Sequence, residues 1–234
     1  MGDHPDWRRP RSYHHGNLKE VLLEAARKLI EQYGPAGFSL TEAARLAGVS
    51  PAAPYRHFRD RDALLAEVAR HGFERFAARL DMAWNNGVPT PLSAFGNLGK
   101  AYLAFARSEP AFYSAMFESG LPVDLSPALQ AASERAFAVI RAAAERLAAL
   151  VPAGMPRPPA MMMALHIWSM SHGVASLFGR GDAARRKLPM SPEDLLEAQV
   201  LIYLRGLGFS TDRRPPADQK DQNQKPAGPW GTPK

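Results

Sequence analysis

The chain has 234 residues, 46% hydrophobic and 22% charged, which is typical of a folded soluble protein and excludes collagen, wholesale disorder and a membrane bundle. It has no cysteine, so disulfides, thiolate metal ligands and cysteine nucleophiles are excluded. The formal net charge of +6 permits a polyanionic partner but, being spread along the chain, does not demonstrate one.

The two ends of the chain are predicted to be disordered tails. Residues 1–13 are polar and carry the basic side chains Arg8, Arg9 and Arg11, while residues 210–234 are rich in Pro, Gln, Lys and Asp. A basic arm can enter a DNA minor groove, but a solubilising tail explains it equally well. The start lacks the apolar segment of a secretory signal, and no stretch approaches the roughly 20 apolar residues of a membrane span. We therefore expect a cytoplasmic protein with no membrane partner.

Between the ends almost every segment shows helical periodicity, and no convincing alternating β pattern is found. The fold class is therefore predicted to be all-α, with about nine helices. The first helix follows Asn17 and stops at Gly34, which supplies a left-handed residue. Ser39 and Glu42 have the spacing of a capping box, which predicts a short second helix closed by Gly48.

A third helix is predicted from Ser50, a good cap, to about Phe58, with Pro51 at its first position. Pro54 removes a hydrogen bond at the start of this helix, so the helix is expected to be short or bent. Asp60 caps a fourth helix that runs toward Met82. A break at residues 86–91 and five further helices follow: 91–108, 110–119, 126–151, 158–179 and 191–207.

The stretch from Ser39 to Phe58 indicates a helix-turn-helix. Ala44 and Ala47 are small where two helices must approach closely, and Gly48 makes the turn between them. Two short helices that meet by chance would need similar small residues. The short pattern therefore leaves a purely structural interpretation open.

A longer stretch, His15 to Val68, resembles the DNA-binding half of the TetR/AcrR family of bacterial transcriptional regulators. The family pattern ends its recognition helix in Tyr, a variable residue, His or Tyr, and Phe, followed by a basic residue and a leucine. This sequence supplies Tyr55, His57, Phe58, Arg61 and Leu64.

The resemblance implies two domains. Residues 14–62 would be a three-helix helix-turn-helix domain, and 63–209 a larger helical domain for ligand binding and dimerisation, with 63–82 as the connecting helix. A homodimer would bind a roughly palindromic stretch of double-stranded operator DNA and respond to a small-molecule effector. Repression is the commoner habit of the family. The predicted dimer face of the last helix comprises Leu195, Leu196, Val200, Leu201 and Leu204.

The candidate DNA contacts lie between residues 39 and 61. Hydroxyl, imidazole and guanidinium groups can donate to phosphate oxygens, whereas small apolar side chains can only contact a thymine methyl or sense shape. Arg56 is long enough to reach a guanine, and Ser39 and Thr41 can also be explained as a cap and a solvated side chain. The full set is Ser39, Thr41, Ser50, Pro51, Ala52, Ala53, Tyr55, Arg56, His57 and Arg61.

The segment HIWSMSHGVASLF has the spacing W-x3-H-G and resembles a subgroup of TetR-like regulators whose C-terminal domain carries a Trp and a His-Gly pair. The candidate effector site is apolar, and plain core packing explains most of its residues equally well. An apolar or aromatic effector fits it. A fatty acyl thioester held by Arg107, Arg135 or Arg141 is the alternative. The candidate ligand residues are Tyr102, Phe105, Phe112, Met116, Met163, Trp168 and His172.

An enzyme is the rival from another class. The sequence contains no nucleophile elbow, no HExxH-like ligand pair and no phosphate-binding loop, so we expect no catalysis, cofactor or metal site. A helical protein-binding adaptor that kept the helix-turn-helix scaffold is the second rival. Salt-sensitive DNA binding would discriminate it from a regulator.

Overall fold

The structure, a computed structural model, describes residues 18–179 and 188–210, and these residues form α-helices, short 3₁₀ turns and loops with no strand. The all-α prediction is confirmed. The predicted basic arm and nearly all of the C-terminal tail lie outside the described residues. The helices, numbered in chain order, are α1 (Leu18–Tyr33), α2 (Leu40–Leu46), α3 (Arg61–Trp84), α4 (Pro91–Ser108), α5 (Pro110–Phe117), α6 (Pro127–Ala148), α7 (Ala160–Phe178) and α8 (Pro192–Gly206).

Most helices begin where the sequence places a capping residue. The Ser39 hydroxyl accepts from the Glu42 amide at 3.2 Å, and the Glu42 carboxylate accepts from the Ser39 amide at 2.8 Å, so the predicted capping box is present. The Asp60 carboxylate accepts from the Ala63 amide at 2.8 Å and starts α3. Ser126 and Ser191 cap α6 and α8 in the same way. These bonds satisfy amides that the first turn of a helix leaves unpaired.

The third predicted helix is wrong as an α-helix. Residues Pro54–Arg56 form a single 3₁₀ turn, in which the His57 amide donates to the Pro54 carbonyl at 2.9 Å. Pro54 lacks the amide that would close the first α-helical bond to Ser50, and its ring clashes with that carbonyl. Among the described residues the number of α-helices is therefore eight, against about nine predicted.

Helix α3 lies at the centre of the molecule. It packs against α4, α5 and α6, and it also contacts α1. At Gly72 an added Cβ would lie 2.7 Å from the Met116 sulfur, so the absence of a side chain permits the close approach of α3 and α5. One hydrophobic core joins the helix-turn-helix residues to the rest of the described chain, from Leu22 to Phe209.

An ionic contact ties α1 to α3. Arg70 donates to the Glu67 carboxylate at 2.9 Å, and Lys19 of α1 forms an ion pair with the same carboxylate. The hydrogen bond from Arg70, supported by Lys19, lowers the pKa of Glu67 to about 2. Glu67 is therefore ionised at neutral pH, and its ion pair with Lys19 holds α1 on α3.

Helices α7 and α8 form the outer layer of the C-terminal part, where α7 packs against α6, α4 and α8. Two residues of the predicted dimer face of α8 are buried within the subunit, while Leu195, Val200 and Leu201 are half-buried. Leu196 and Leu204 are only 4% exposed and face α4 and α7, because the apolar side of the helix covers the core. The outward side carries Ala198 and Ile202 instead. No helix in the described parts of the chain is long and apolar enough to cross a membrane.

Candidate nucleic-acid interface

The segment between α2 and α3 projects a row of side chains into solvent. Tyr55 is 60% exposed, and Arg56 and His57 beside it are exposed as well. The neighbours Pro54 and Phe58 are buried, and the Phe58 amide donates to the Pro54 carbonyl at 2.9 Å. Two buried anchors thus fix the backbone from which an aromatic hydroxyl, a guanidinium and an imidazole reach outward.

The other predicted DNA contacts of this region differ in solvent exposure and in whether their side chains already form hydrogen bonds. Ser50, Pro51 and Ala52 are exposed at the turn, Ala53 is half-buried, and Thr41 is exposed in the first turn of α2. The Ser39 hydroxyl is occupied, because it donates to and accepts from Glu42 within the capping box. Of the two alternatives for Ser39, the cap is the one that the structure displays.

Arg61 is directed inward. Its guanidinium lies 5.2 Å from the centroid of the Phe38 ring, donates to the Pro35 carbonyl, and donates to Asp62 at 2.8 Å. The buried Nε atom has no hydrogen-bond partner. In this arrangement the side chain holds the loop between α1 and α2 against α3, and a phosphate contact would require it to rearrange.

Two cations that the sequence analysis did not single out lie near this surface. Arg45 is exposed on α2, and Arg59 is 86% exposed and pairs with Asp60 at 2.8 Å. Exposed arginines in a helix or a loop are common, so the sequence alone gave no reason to select them. Both can add charge to a phosphate-binding surface.

The seven predicted ligand residues belong to the core of the C-terminal part. Tyr102, Phe105, Phe112, Met116 and Met163 are buried, while Trp168 and His172 are half-buried against them. The Phe76 ring of α3 lies 5.0 Å from the ring of Tyr102 and 4.9 Å from that of Phe105. These rings therefore contact one another and leave little room for a ligand between them.

A hydrogen-bonded network lies within this aromatic cluster. The hydroxyls of Tyr102 and Tyr113 lie 3.1 and 2.9 Å from Nδ1 of His172, and the Trp168 indole donates to Tyr102 at 3.3 Å. Burial raises the pKa of both tyrosines, that of Tyr113 to about 12, and lowers the pKa of His172. All members of the network are thus held in their neutral forms.

A cavity with a volume of about 490 Å³ lies elsewhere, between α4, α7 and α8. None of the seven predicted ligand residues lines it. Sequence periodicity had placed several of its residues on apolar helix faces, but it cannot show where two such faces fail to meet. Its walls include Phe95, Gly96, Leu103, Ile167, Ser171 and Val200.

An apolar outer face remains on α7 and α8. Ile202 is 73% exposed, and Met162 and Leu165 are each nearly half exposed. Gly173 is exposed on α7, and nothing lies within 4 Å of an added Cβ, so it does not serve close packing within the subunit. No group of His, Asp or Glu side chains in the described residues is arranged to hold a metal ion.

Within the described ranges, helices without strands, an exposed segment between α2 and α3, and a helical C-terminal part are typical of helix-turn-helix regulators. A family model for bacterial regulatory proteins of the tetR family matches residues 22–68, and one for the tetracyclin repressor-like C-terminal domain matches residues 95–203. The chain belongs to the TetR family of DNA-binding transcriptional regulators, which are not enzymes.

Solved structures agree with this assignment. A protein of unknown function from Rhodococcus sp. RHA1 is 30% identical, with a TM-score of 0.71 over 86% of this chain and 100% of that chain. The TetR family transcriptional regulator PfmR from Thermus thermophilus is 23% identical, with a TM-score of 0.61 over 80% of this chain and 98% of that chain. No curated protein matches the chain.

Proposed function

We propose that the protein is a ligand-responsive repressor that binds a palindromic operator as a homodimer and is released by a small effector. The observation that carries this proposal is the exposed row Tyr55, Arg56 and His57 on a backbone fixed by two buried residues. Tyr55 and His57 supply donors for phosphate oxygens, and Arg56 is the one side chain of the row that is long and charged enough to read a guanine.

The dimer in this proposal uses the outer face of α7 and α8. Exposed apolar side chains such as Ile202, Leu165 and Met162 gain most from being covered by a second copy. Gly173 would let the partner's helix approach closely. A two-fold dimer presents two recognition segments about one turn of DNA apart, or a multiple of this, which requires an operator of matching symmetry.

The test is a titration of the purified protein against labelled duplex from the region flanking its own gene, with excess unrelated DNA, at two salt concentrations. Tyr55→Ala is compared with Tyr33→Ala, because Tyr33 is equally exposed at 59% but lies at the end of α1. We expect binding that resists competitor, weakens with salt, and weakens about tenfold in Tyr55→Ala alone, the factor given by losing a charged-group hydrogen bond.

Binding that disappears under competitor, or equal behaviour of the two tyrosine variants, would contradict the proposal. A helical adaptor on the same scaffold would then be the better interpretation, since it needs no salt-sensitive contact with phosphate. Transcription from the same region in vitro, with and without the protein, separates a repressor from an activator.

A further inference from the structure

Two glycines of α4, Gly96 and Gly99, line the cavity between α4, α7 and α8. An added Cβ at Gly99 would lie 3.0 Å from Leu196, so the two helices are in contact there. At Gly96, which also lines the cavity, nothing lies within 4 Å of an added Cβ. A side chain at position 96 would therefore project into open space rather than into packed atoms. The volume of about 490 Å³ is in the range of small-molecule sites.

The charged groups around the cavity balance one another. Its lining includes Lys100, Glu193 and Glu197. Glu193 is neutralised by Arg107, whose guanidinium lies 2.8 Å from its carboxylate. One cation and one carboxylate remain, so the cavity offers no net charge to an ionic ligand.

The arginines considered for an anionic headgroup are occupied. Arg135 pairs with Glu74 at 3.4 Å, and Arg141 lies 3.8 Å from Glu145. Neither residue lines the cavity. An acyl thioester would bring several negative charges that no unpaired arginine of this lining receives.

Several polar side chains lie along the rim of the cavity, and among the polar residues of its lining Ser171 is the buried one. Ser171 of α7 is 3% exposed, lines the cavity, and no described residue forms a hydrogen bond with its hydroxyl. Because the residue lines the cavity, its hydroxyl is available to a hydrogen-bonding group of a bound molecule. The surrounding walls of Phe95, Leu103 and Ile167 are apolar.

We propose that this cavity is the effector site, and that it takes an uncharged, largely apolar molecule whose single hydrogen-bonding group reaches Ser171. The proposal rests on the proposed function only for the word effector, because binding to the cavity can be measured without DNA. The aromatic cluster around His172 then belongs to the packed core behind the site and does not contact the ligand.

The probe is N-phenyl-1-naphthylamine, an uncharged fluorophore with one N–H group, titrated into the purified full-length protein. Its counterpart, 1-anilinonaphthalene-8-sulfonate, has the same rings and a negative charge. We expect the neutral probe to bind at least about tenfold more tightly, because the sulfonate must lose water in a lining whose cation, Lys100, is balanced by Glu197. Tighter binding of the sulfonate would overturn the assignment of an uncharged ligand.

The site is located with Gly96→Leu, and Gly96→Ala is the matched control. Both replace a helical glycine and should raise helix stability slightly, so neither is expected to impair folding. Leucine fills part of the cavity and should weaken the neutral probe about tenfold, whereas alanine should leave it within about twofold. Ser171→Ala should weaken the same probe about fivefold through the lost hydrogen bond.

Unchanged probe affinity in Gly96→Leu would overturn the proposal. Operator binding is measured on the same variant without ligand. If Gly96→Leu still binds operator and its probe affinity is unchanged, the cavity assignment alone is refuted. If the wild-type protein binds the probe in the cavity but does not bind operator, the proposed function alone is refuted.

Discussion

At the scale of single residues, His172 is held by several contacts. Its Nδ1 lies within 3.1 Å of the hydroxyls of Tyr102 and Tyr113, and its ring lies 5.2 Å from that of Phe117. Burial among these rings lowers the pKa of His172, since removing water disfavours the charged imidazolium. The folded state therefore binds protons at this site less readily than the unfolded chain does.

The free energy of unfolding should consequently decrease as the pH is lowered below the ordinary pKa range of histidine. Since the folded pKa is depressed, the unfolded state takes up more protons as the pH falls through about 6.5, and the free energy of unfolding decreases. His172→Gln should lose about 1 kcal/mol at pH 7 through an altered hydrogen bond and should show a shallower pH dependence. Urea unfolding at pH 7 and pH 5 measures both effects.

His71 contributes to both proteins in that comparison, because burial also lowers its pKa. The comparison therefore concerns the difference between wild type and variant. A variant with the full wild-type pH dependence would mean that His172 accepts a proton in the folded state as easily as in the unfolded chain.

At the scale of elements, the secondary structure differs from the prediction in the segment from Ser50 to Phe58, which we call the recognition segment. The sequence shows a cap at Ser50 and a proline at position 51, both of which favour a helix start. Pro54 outweighs them, because it removes the first bond that an α-helix of this start would make. The result is the 3₁₀ turn Pro54–Arg56.

Pro54→Ala should extend helical hydrogen bonding from residue 51 toward residue 57, because the restored amide at 54 can donate to the Ser50 carbonyl. Cα chemical shifts of these residues in the operator-free protein measure the change. Pro51→Ala is the control, since a proline at the first helical position removes no bond and its replacement should leave the shifts of 54–57 unaltered. Equal shifts in both variants would show that proline is not what prevents the helix.

Other element boundaries were predictable from local chemistry. Helix starts at Ser39, Asp60, Ser126 and Ser191 follow from side chains that bond to amides three residues further on. The cavity between α4, α7 and α8 was not predictable in this way. Tyr102 and Leu103 are neighbours on one apolar helix, yet the first packs against Phe76 and the second lines the cavity. Whether an apolar face of α4 borders a cavity depends on where α7 and α8 lie, which the sequence of α4 does not contain.

At the scale of the whole molecule, the proposed dimer depends on the outer face of α7 and α8. Ile202→Lys should dissociate it, because the lysine would place a charge at the centre of an apolar contact. Light scattering during size-exclusion chromatography should show a monomer in place of a dimer, with operator affinity reduced about tenfold or more through loss of the second half-site. Val21→Lys is the control, since Val21 is also exposed at 36% but lies on α1.

A dimer of unchanged mass in Ile202→Lys would place the contact on another surface. An isoleucine that stays solvated in the assembled protein has no apolar contact to lose. The Val21 variant is expected to retain the wild-type mass in either case.

Helix α3 has a mechanical consequence. Its 24 residues begin beside the recognition segment and end at Trp84, which is buried in the C-terminal part. A helix of this length is a stiff rod of about 36 Å. A tilt of about 5° at the Trp84 end swings the other end by roughly 3 Å, close to the rise of one base pair. In the proposed function the rod would work as a lever that turns a sub-ångström rearrangement at its pivot into a misregistration with the DNA.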